Sequence, residues 1–230
     1  MRFRLGIVAK NSDEKKKLLR DINKFDLKLD KNPSLVISLG GDGTFLIAER
    51  RYPGVPKILI RDSEICTKCS SEGLSKMIDA LEQKNFVIKR YKKILVEFKR
   101  KQLFSTNDCV IRNTYPYMAA RFQLFLNGKE LDPVIGDGIV ASGVFGSTGY
   151  YHSITRSSFK RDWRIAYNNP TIKKMPLSLK SDDRVELKVV RGPMSLTSDN
   201  DQKVYLLENR DRVRLSLSKK EAQVLEISDF

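Results

Sequence analysis

Hydrophobic and polar positions up to about residue 90 switch between two periods. Phe3 to Ala9 is an apolar run suited to a first strand, and the charged stretch from about Asp13 to Phe25 has the spacing of a helix. Ser34 to Leu39 is a nearly continuous apolar run, the pattern of a strand buried on both faces. It stops at glycines. Thr44 to Arg50 holds helix formers with no breaker before Pro53, Lys57 to Ile60 reads as the next strand, Leu74 to Lys84 as the next helix, and Phe86 to Tyr91 as a further strand. This β-α-β-α-β order predicts a mostly parallel, doubly wound α/β sheet.

From about Tyr91 the texture changes to short alternating runs: Ile94 to Phe98, Ser105 to Arg112, Arg121 to Leu126, Ile139 to Ser142, Val185 to Val190, Ser195 to Thr197 and Val204 to Leu207. Turn residues break them, among them Asn127-Gly128, a strong hairpin signal. The pattern predicts an antiparallel all-β domain. Arg212 to Leu217 and Ala222 to Ile227 are also strand-like, and either close this domain or return to the first. The expected organisation is therefore an α/β domain over residues 1–92 and a β-rich domain over 93–230.

Composition narrows the class. Of 230 residues, 40% are hydrophobic and 31% charged, the balance of an ordinary globular chain. No apolar run approaches the roughly 20 residues that span a bilayer, and the N-terminal stretch lacks the apolar core of a signal peptide, so a cytoplasmic protein without a membrane segment is expected. Lys and Arg number 43 against 28 Asp and Glu, a net charge of +15 that favours anionic partners such as nucleotide phosphates. The basic residues lie in short clusters without interleaved aromatics, so nucleic-acid binding has no support of its own. Cys66 and Cys69 form a C-x-x-C without a second ligand pair, which argues against structural zinc and leaves two plain thiols or a local disulfide.

Gly40-Gly41-Asp42-Gly43-Thr44 falls between the buried strand and a helix. Consecutive glycines let backbone approach a ligand, and the N–H groups opening the helix favour phosphate. Asp42 is the informative residue. A carboxylate beside a phosphate belongs there if it binds a metal ion or accepts a hydroxyl proton, both of which phosphoryl transfer uses. The plainer reading is a tight turn with Asp42 as helix cap.

Leu39 to Leu46, around that motif, resembles the glycine-rich segment shared by NAD kinases, diacylglycerol and sphingosine kinases and phosphofructokinases. Gly136 to Tyr150 narrows the resemblance to the NAD kinase family, whose second signature, G-D-G followed by S-T-P-T-G-S-T-A-Y, it matches without a gap. Thr106-Asn107-Asp108 is similar to the family's Asn-Glu, and Thr197 to Gln202 is distantly similar to a later D-G-Q segment. The resemblance implies an α/β domain, a β-domain, and NAD and ATP meeting in a cleft between them. It further implies Asp42 as the group that orients or deprotonates the ribose hydroxyl, with Gly40, Gly41, Gly43 and Thr44 forming the phosphate loop. Asn107 and Asp108 would hydrogen-bond the adenosine part, while Asp137, Thr148, Gly149, Tyr150 and Ser153 line the NAD pocket. A divalent cation such as Mg2+ and a homo-oligomer, dimer or tetramer, are implied as well.

The chain departs from the family pattern in places. Gly143-Val144-Phe145 stands where the family has Thr-Pro-Thr, Gly149 where it has Ala, Asp108 where it has Glu, and Tyr151 and His152 follow Tyr150 where small residues are usual. These changes define the competing expectation, a dinucleotide-binding or sensing homologue without catalysis. Tyr150 and Tyr151 fit either base stacking or packing in the sheet.

Overall fold

The computed structural model describes residues 4–22, 28–60 and 79–227. The chain divides into one unit comprising Met1–Arg90 with Ala222–Phe230, and a second comprising Tyr91–Glu221.

The first unit is built on a parallel sheet. Strand β1 (Arg4–Ala9) pairs on one side with β2 (Lys28–Leu29) and on the other with β3 (Leu35–Leu39), which pairs in turn with β4 (Lys57–Ile60). Val224 of the final strand lies parallel to Lys57 of β4. Helix α1 (Ser12–Ile22) follows β1, and α2 (Asp42–Arg51) follows β3. Strand β3 fulfils its pattern: Leu35, Val36, Ile37 and Ser38 are all buried. Its odd positions join Leu5, Ile7, Ile58 and Leu225 in one cluster, and Val36 joins Val8 and Ala48 of α2 in another, so both faces of the sheet are covered. Of the helix expected over Leu74 to Lys84, residues 79–82 are helical and 83–84 form a turn, while 74–78, like Cys66 and Cys69, lie outside the described residues.

In the second unit, two antiparallel sheets enclose one core. One runs β13 (Leu177–Leu179), β12 (Trp163–Asn168), β11 (Gly138–Gly143), β7 (Asp108–Asn113), β15 (Met194–Ser198), β16 (Tyr205–Leu207). The other contains β10 (Val134–Gly136), β8 (Ala120–Leu126), β14 (Arg184–Arg191) and the first part of β17 (Arg212–Ile227), with β9 (Lys129–Glu130) on β8. Ile111, Ile139, Trp163 and Leu196 from one sheet meet Phe122, Leu124, Leu187 and Val213 from the other, all with 1% exposure or less. Between β8 and β9, Asn127 and Gly128 have φ of 51° and 84°, as a two-residue hairpin turn requires.

Two expectations are corrected. Arg212 to Leu217 and Ala222 to Ile227 are one unbroken strand. Ser105 to Arg112 is two strands, β6 (Lys101–Ser105) and β7, broken at Thr106-Asn107. The Gly-rich stretch after β11 forms a 3-10 turn over Phe145–Thr148 and a short helix over Tyr150–Thr155.

Candidate functional site

In the first unit the topology selects the place. The chain leaves β1 for β2 on one side and returns to β3 on the other, and a parallel sheet opens a crevice beyond the strand ends where the order reverses. The residues there are Lys10, just after β1, and Gly40, just after β3. The register Ala9↔Leu39 sets them side by side, and Lys10 N–H donates to the Leu39 carbonyl at 3.2 Å.

Gly40 turns the chain. Its φ of 142° is open to glycine, and a Cβ there would stand 2.4 Å from Thr44 Oγ1. Helix α2 begins at Asp42, with Gly41 in the cap position and no side chain capping it. Asp42 is therefore within the first helical turn, not the cap that the plainer reading made it. A helix N-terminus gathers the unpaired ends of its peptide dipoles and attracts anions. Gly43 is exposed, whereas Thr44 is buried behind the turn. Lys10 was not singled out in the sequence; only the strand order places a cation beside the glycine turn.

Helix α2 is held from below by a buried ion pair. Lys57 Nζ donates to Glu49 Oε2 and, at 2.6 Å, to the Tyr52 carbonyl, while Glu49 Oε1 accepts from Gly54 N–H at 2.9 Å. Lys57 is fully buried and Glu49 nearly so.

In the second unit the residues fall into two groups at opposite ends of β11. Asn107 immediately precedes β7, which Asp108 opens by pairing with Ser142. Ser142 Oγ donates to the Asn107 carbonyl at 3.1 Å, and Gly146 packs directly on that carbonyl. A Cβ on Gly149 would lie 3.1 Å from Asn107 Nδ2, so the exposed Thr148 and the half-buried Gly149 belong to this end. Asn107 Oδ1 is buried with no protein partner among the described residues.

The other end is set by Asp137, which precedes β11. Its carboxylate accepts from Asn169 Nδ2 at 3.2 Å, and its backbone carbonyl from Asn113 N–H at 2.7 Å. The neighbouring Asn168 donates to Tyr150 Oη at 3.1 Å, so Tyr150 reaches toward this end of the strand. Asp137 is five residues from Ser142, the partner of Asp108, which sets the two about 16 Å apart along the sheet at ~3.3 Å per residue. Ser153 is exposed, and its hydroxyl donates to the Tyr150 carbonyl at 2.8 Å.

The departures from the family pattern have structural uses. Phe145 is buried and meets Tyr91 edge-on at 5.2 Å, and Val144 packs against a cluster of Tyr151, Phe159 and Ala166. Tyr151 is a core residue, fully buried and edge-on to Phe159 at 5.0 Å, while His152 is exposed.

Asp199 was not identified as a site residue. It follows β15 with φ of 50°, and its carboxylate accepts from the N–H groups of Thr106 at 2.9 Å, Asn107 at 2.7 Å and Asp108 at 3.3 Å. Burial pushes its carboxyl above the usual carboxylate range, against the pull of these three N–H groups and the charge of Lys93. The sequence signal was the weak similarity of Thr197 to Gln202 to a D-G-Q segment. Among the described residues, no three His, Cys, Asp or Glu converge as a metal site.

A glycine turn at the switch point of a parallel sheet, joined in one chain to an antiparallel β-unit, defines the class of two-unit, glycine-rich-loop proteins. No family model matches the chain. It is 28% identical over 220 residues to NAD kinase of Aquifex aeolicus, covering 89% of this chain and 80% of that one, and 25% identical over 216 residues to NAD kinase 2 of Halalkalibacterium halodurans, covering 85% and 80%. The crystal structure of an NAD kinase from Archaeoglobus fulgidus in complex with ATP shares the fold, with a TM-score of 0.83 and 17% identity over 98% of this chain and 94% of that one. Along most of its length the chain is thus similar to proteins named NAD kinase, and it shares their fold.

Proposed function

We propose that this protein is an ATP-dependent NAD kinase that phosphorylates the adenosine ribose 2′-hydroxyl of NAD to give NADP. The observation that carries the proposal is the switch-point turn of the parallel sheet, where Gly40 and Gly41 deliver Asp42 into the first turn of α2 beside Lys10. It is supported by relatives named NAD kinase along most of the chain.

In this reading Asp42 accepts the proton of the 2′-hydroxyl as its oxygen forms a bond to the γ-phosphorus of ATP. The bond from that phosphorus to the bridging oxygen breaks, and ADP leaves with its electron pair. The α2 N-terminus and Lys10 offset phosphate charge. Asn107 and Asp108 take the adenosine end of NAD, and Asp137 with Tyr150 the far end. Thr148 and Gly149 line the wall beside Asn107, and Ser153 shapes the short helix by its bond to Tyr150. A divalent cation, Mg2+ in the first instance, would ride on the ATP phosphates and neutralise their charge. A cytoplasmic location and a homo-oligomer belong to the same proposal, on the resemblance to NAD kinases alone.

The test is NADP formation from NAD, ATP and Mg2+ by the wild type beside Asp42→Asn. Product from the wild type, with turnover lost and the fold kept in the variant, is the expected result. NAD binding with no product from either protein would replace the kinase with a dinucleotide sensor.

A further inference from the structure

The peptide units around Asn107 are held from three sides. Asp199 takes the N–H groups of Thr106, Asn107 and Asp108 in succession, Ser142 Oγ holds the Asn107 carbonyl, and Gly146 leaves that oxygen no room to move. Three consecutive N–H groups are an expensive set to remove from a β-ladder. Here they turn away from strand pairing toward one carboxylate, which is why β6 and β7 are separate strands. An ionised acceptor bonds N–H groups roughly twice as strongly as a neutral one. Asp199 is itself tied down, since its N–H donates to the Asp108 carbonyl at 2.9 Å. The preceding Ser198 hydroxyl meets Ser105 Oγ at 2.7 Å.

These bonds fix the peptide that carries the Asn107 side chain. Asn107 Oδ1 is enclosed yet has no partner among the described residues, and a buried acceptor in that state awaits a donor. An adenine amino group or a ribose hydroxyl is such a donor. We infer that Asp199 is a positioning residue for the dinucleotide, setting the Asn107 and Asp108 backbone so that their side chains meet the adenosine end. The inference rests on the NAD kinase reading for its ligand. It predicts that Asp199 governs how tightly the dinucleotide binds and has little part in donor binding or in the transfer step.

The experiment compares wild type with Asp199→Asn, which keeps the shape but removes the charge and turns an NH2 group toward the N–H row. Kinetics are measured with NAD and ATP varied separately, alongside calorimetric titration with NAD alone and thermal unfolding. The expected result is an NAD KM and Kd raised at least ~10-fold, about 1.4 kcal/mol, with the ATP KM unchanged. A variant that folds with an unaltered NAD Kd overturns the inference, as does a parallel rise of both KM values with a falling Tm, the signature of general loosening. Should the variant not fold, Ser142→Ala, which frees the same peptide from the carbonyl side, decides by the same split. If the wild type binds NAD without making NADP, the kinase reading fails while the calorimetric comparison still judges Asp199. A wild type that binds no NAD overturns both.

Discussion

Gly146 lies against the Asn107 carbonyl so closely that a Cβ on it would stand 1.8 Å from that oxygen. Neither partner can retreat, because Asp199 and Ser142 hold the Asn107 peptide and Gly146 is fixed in the 3-10 turn after β11. Gly146→Ala should therefore destabilise the protein by about 3 kcal/mol, at the upper end for overpacking, since backbone and not a flexible side chain must move. Urea unfolding checks this. A loss under about 0.5 kcal/mol would show that the turn is compliant.

Gly149 presents a milder case. An added Cβ would meet Asn107 Nδ2 at 3.1 Å and the Gly146 carbonyl at 3.4 Å, distances that a small rotation of the Asn107 side chain relieves. Gly149→Ala should fold with nearly unchanged stability and weaken NAD about 3-fold, on the order of 0.6 kcal/mol, as Asn107 is displaced. Comparing NAD titrations of the variant and the wild type decides the matter, and unchanged affinity would place the Asn107 side chain away from the ligand.

The ion pair beneath α2 makes a sharper demand. Lys57→Met leaves the Glu49 carboxylate buried beside a methyl group and should cost about 4 kcal/mol, whereas the double change Lys57→Met with Glu49→Leu removes the stranded charge and should recover most of it. Thermal unfolding of the two single variants and the double variant tests the coupling. Additive losses would mean that the pair is not energetically linked.

Asp183 gives stability a defined pH dependence. The Asn127 side chain donates to it at 2.7 Å and Lys180 N–H donates at 2.7 Å, which together hold its carboxyl below the usual range. A carboxylate with a depressed pKa in the fold stabilises above its unfolded value of about 4 and loses that contribution as pH falls through the folded value. Asp183→Asn should accordingly be less stable than wild type at neutral pH, with the gap closing below pH ~3. Urea midpoints across that range read it out, and a gap independent of pH would assign the effect to the lost acceptor alone.

What could be read from the chain follows local periodicity. Strand β3 and the glycine turn after it were legible because one apolar run and one cluster of glycines carry both, and Asn127-Gly128 fixed a hairpin through its own dihedral preferences. Other elements had no local sign. Lys57 sits in a strand core where a charge ordinarily means solvent, and its partner Glu49 lies on a different element. Lys99 and Arg100 make the turn between β5 (Phe86–Phe98) and β6 with φ of 42° and 62°, without the Asn or Gly that announces such a turn. Strand β12 carries Arg164 between buried Trp163 and Ile165 and follows a polar stretch, so it was not expected at all. The short helix that presents Tyr150 is too brief for a 3.6-residue period. The role of Asp199 depends on three N–H groups more than ninety residues earlier, which no window along the chain connects.

Strand β17 lends residues 212–221 to the second unit and 222–227 to the first. The parallel sheet that carries the glycine turn thus receives the strand beside β4 only after the β-rich unit has been synthesised. During translation that edge of β4 offers unpaired N–H and C=O groups to any passing strand, a vulnerable interval that ends when Val224 settles against Lys57. The order of translation makes the α/β unit, although first to emerge, unable to finish before the β-rich unit has been made.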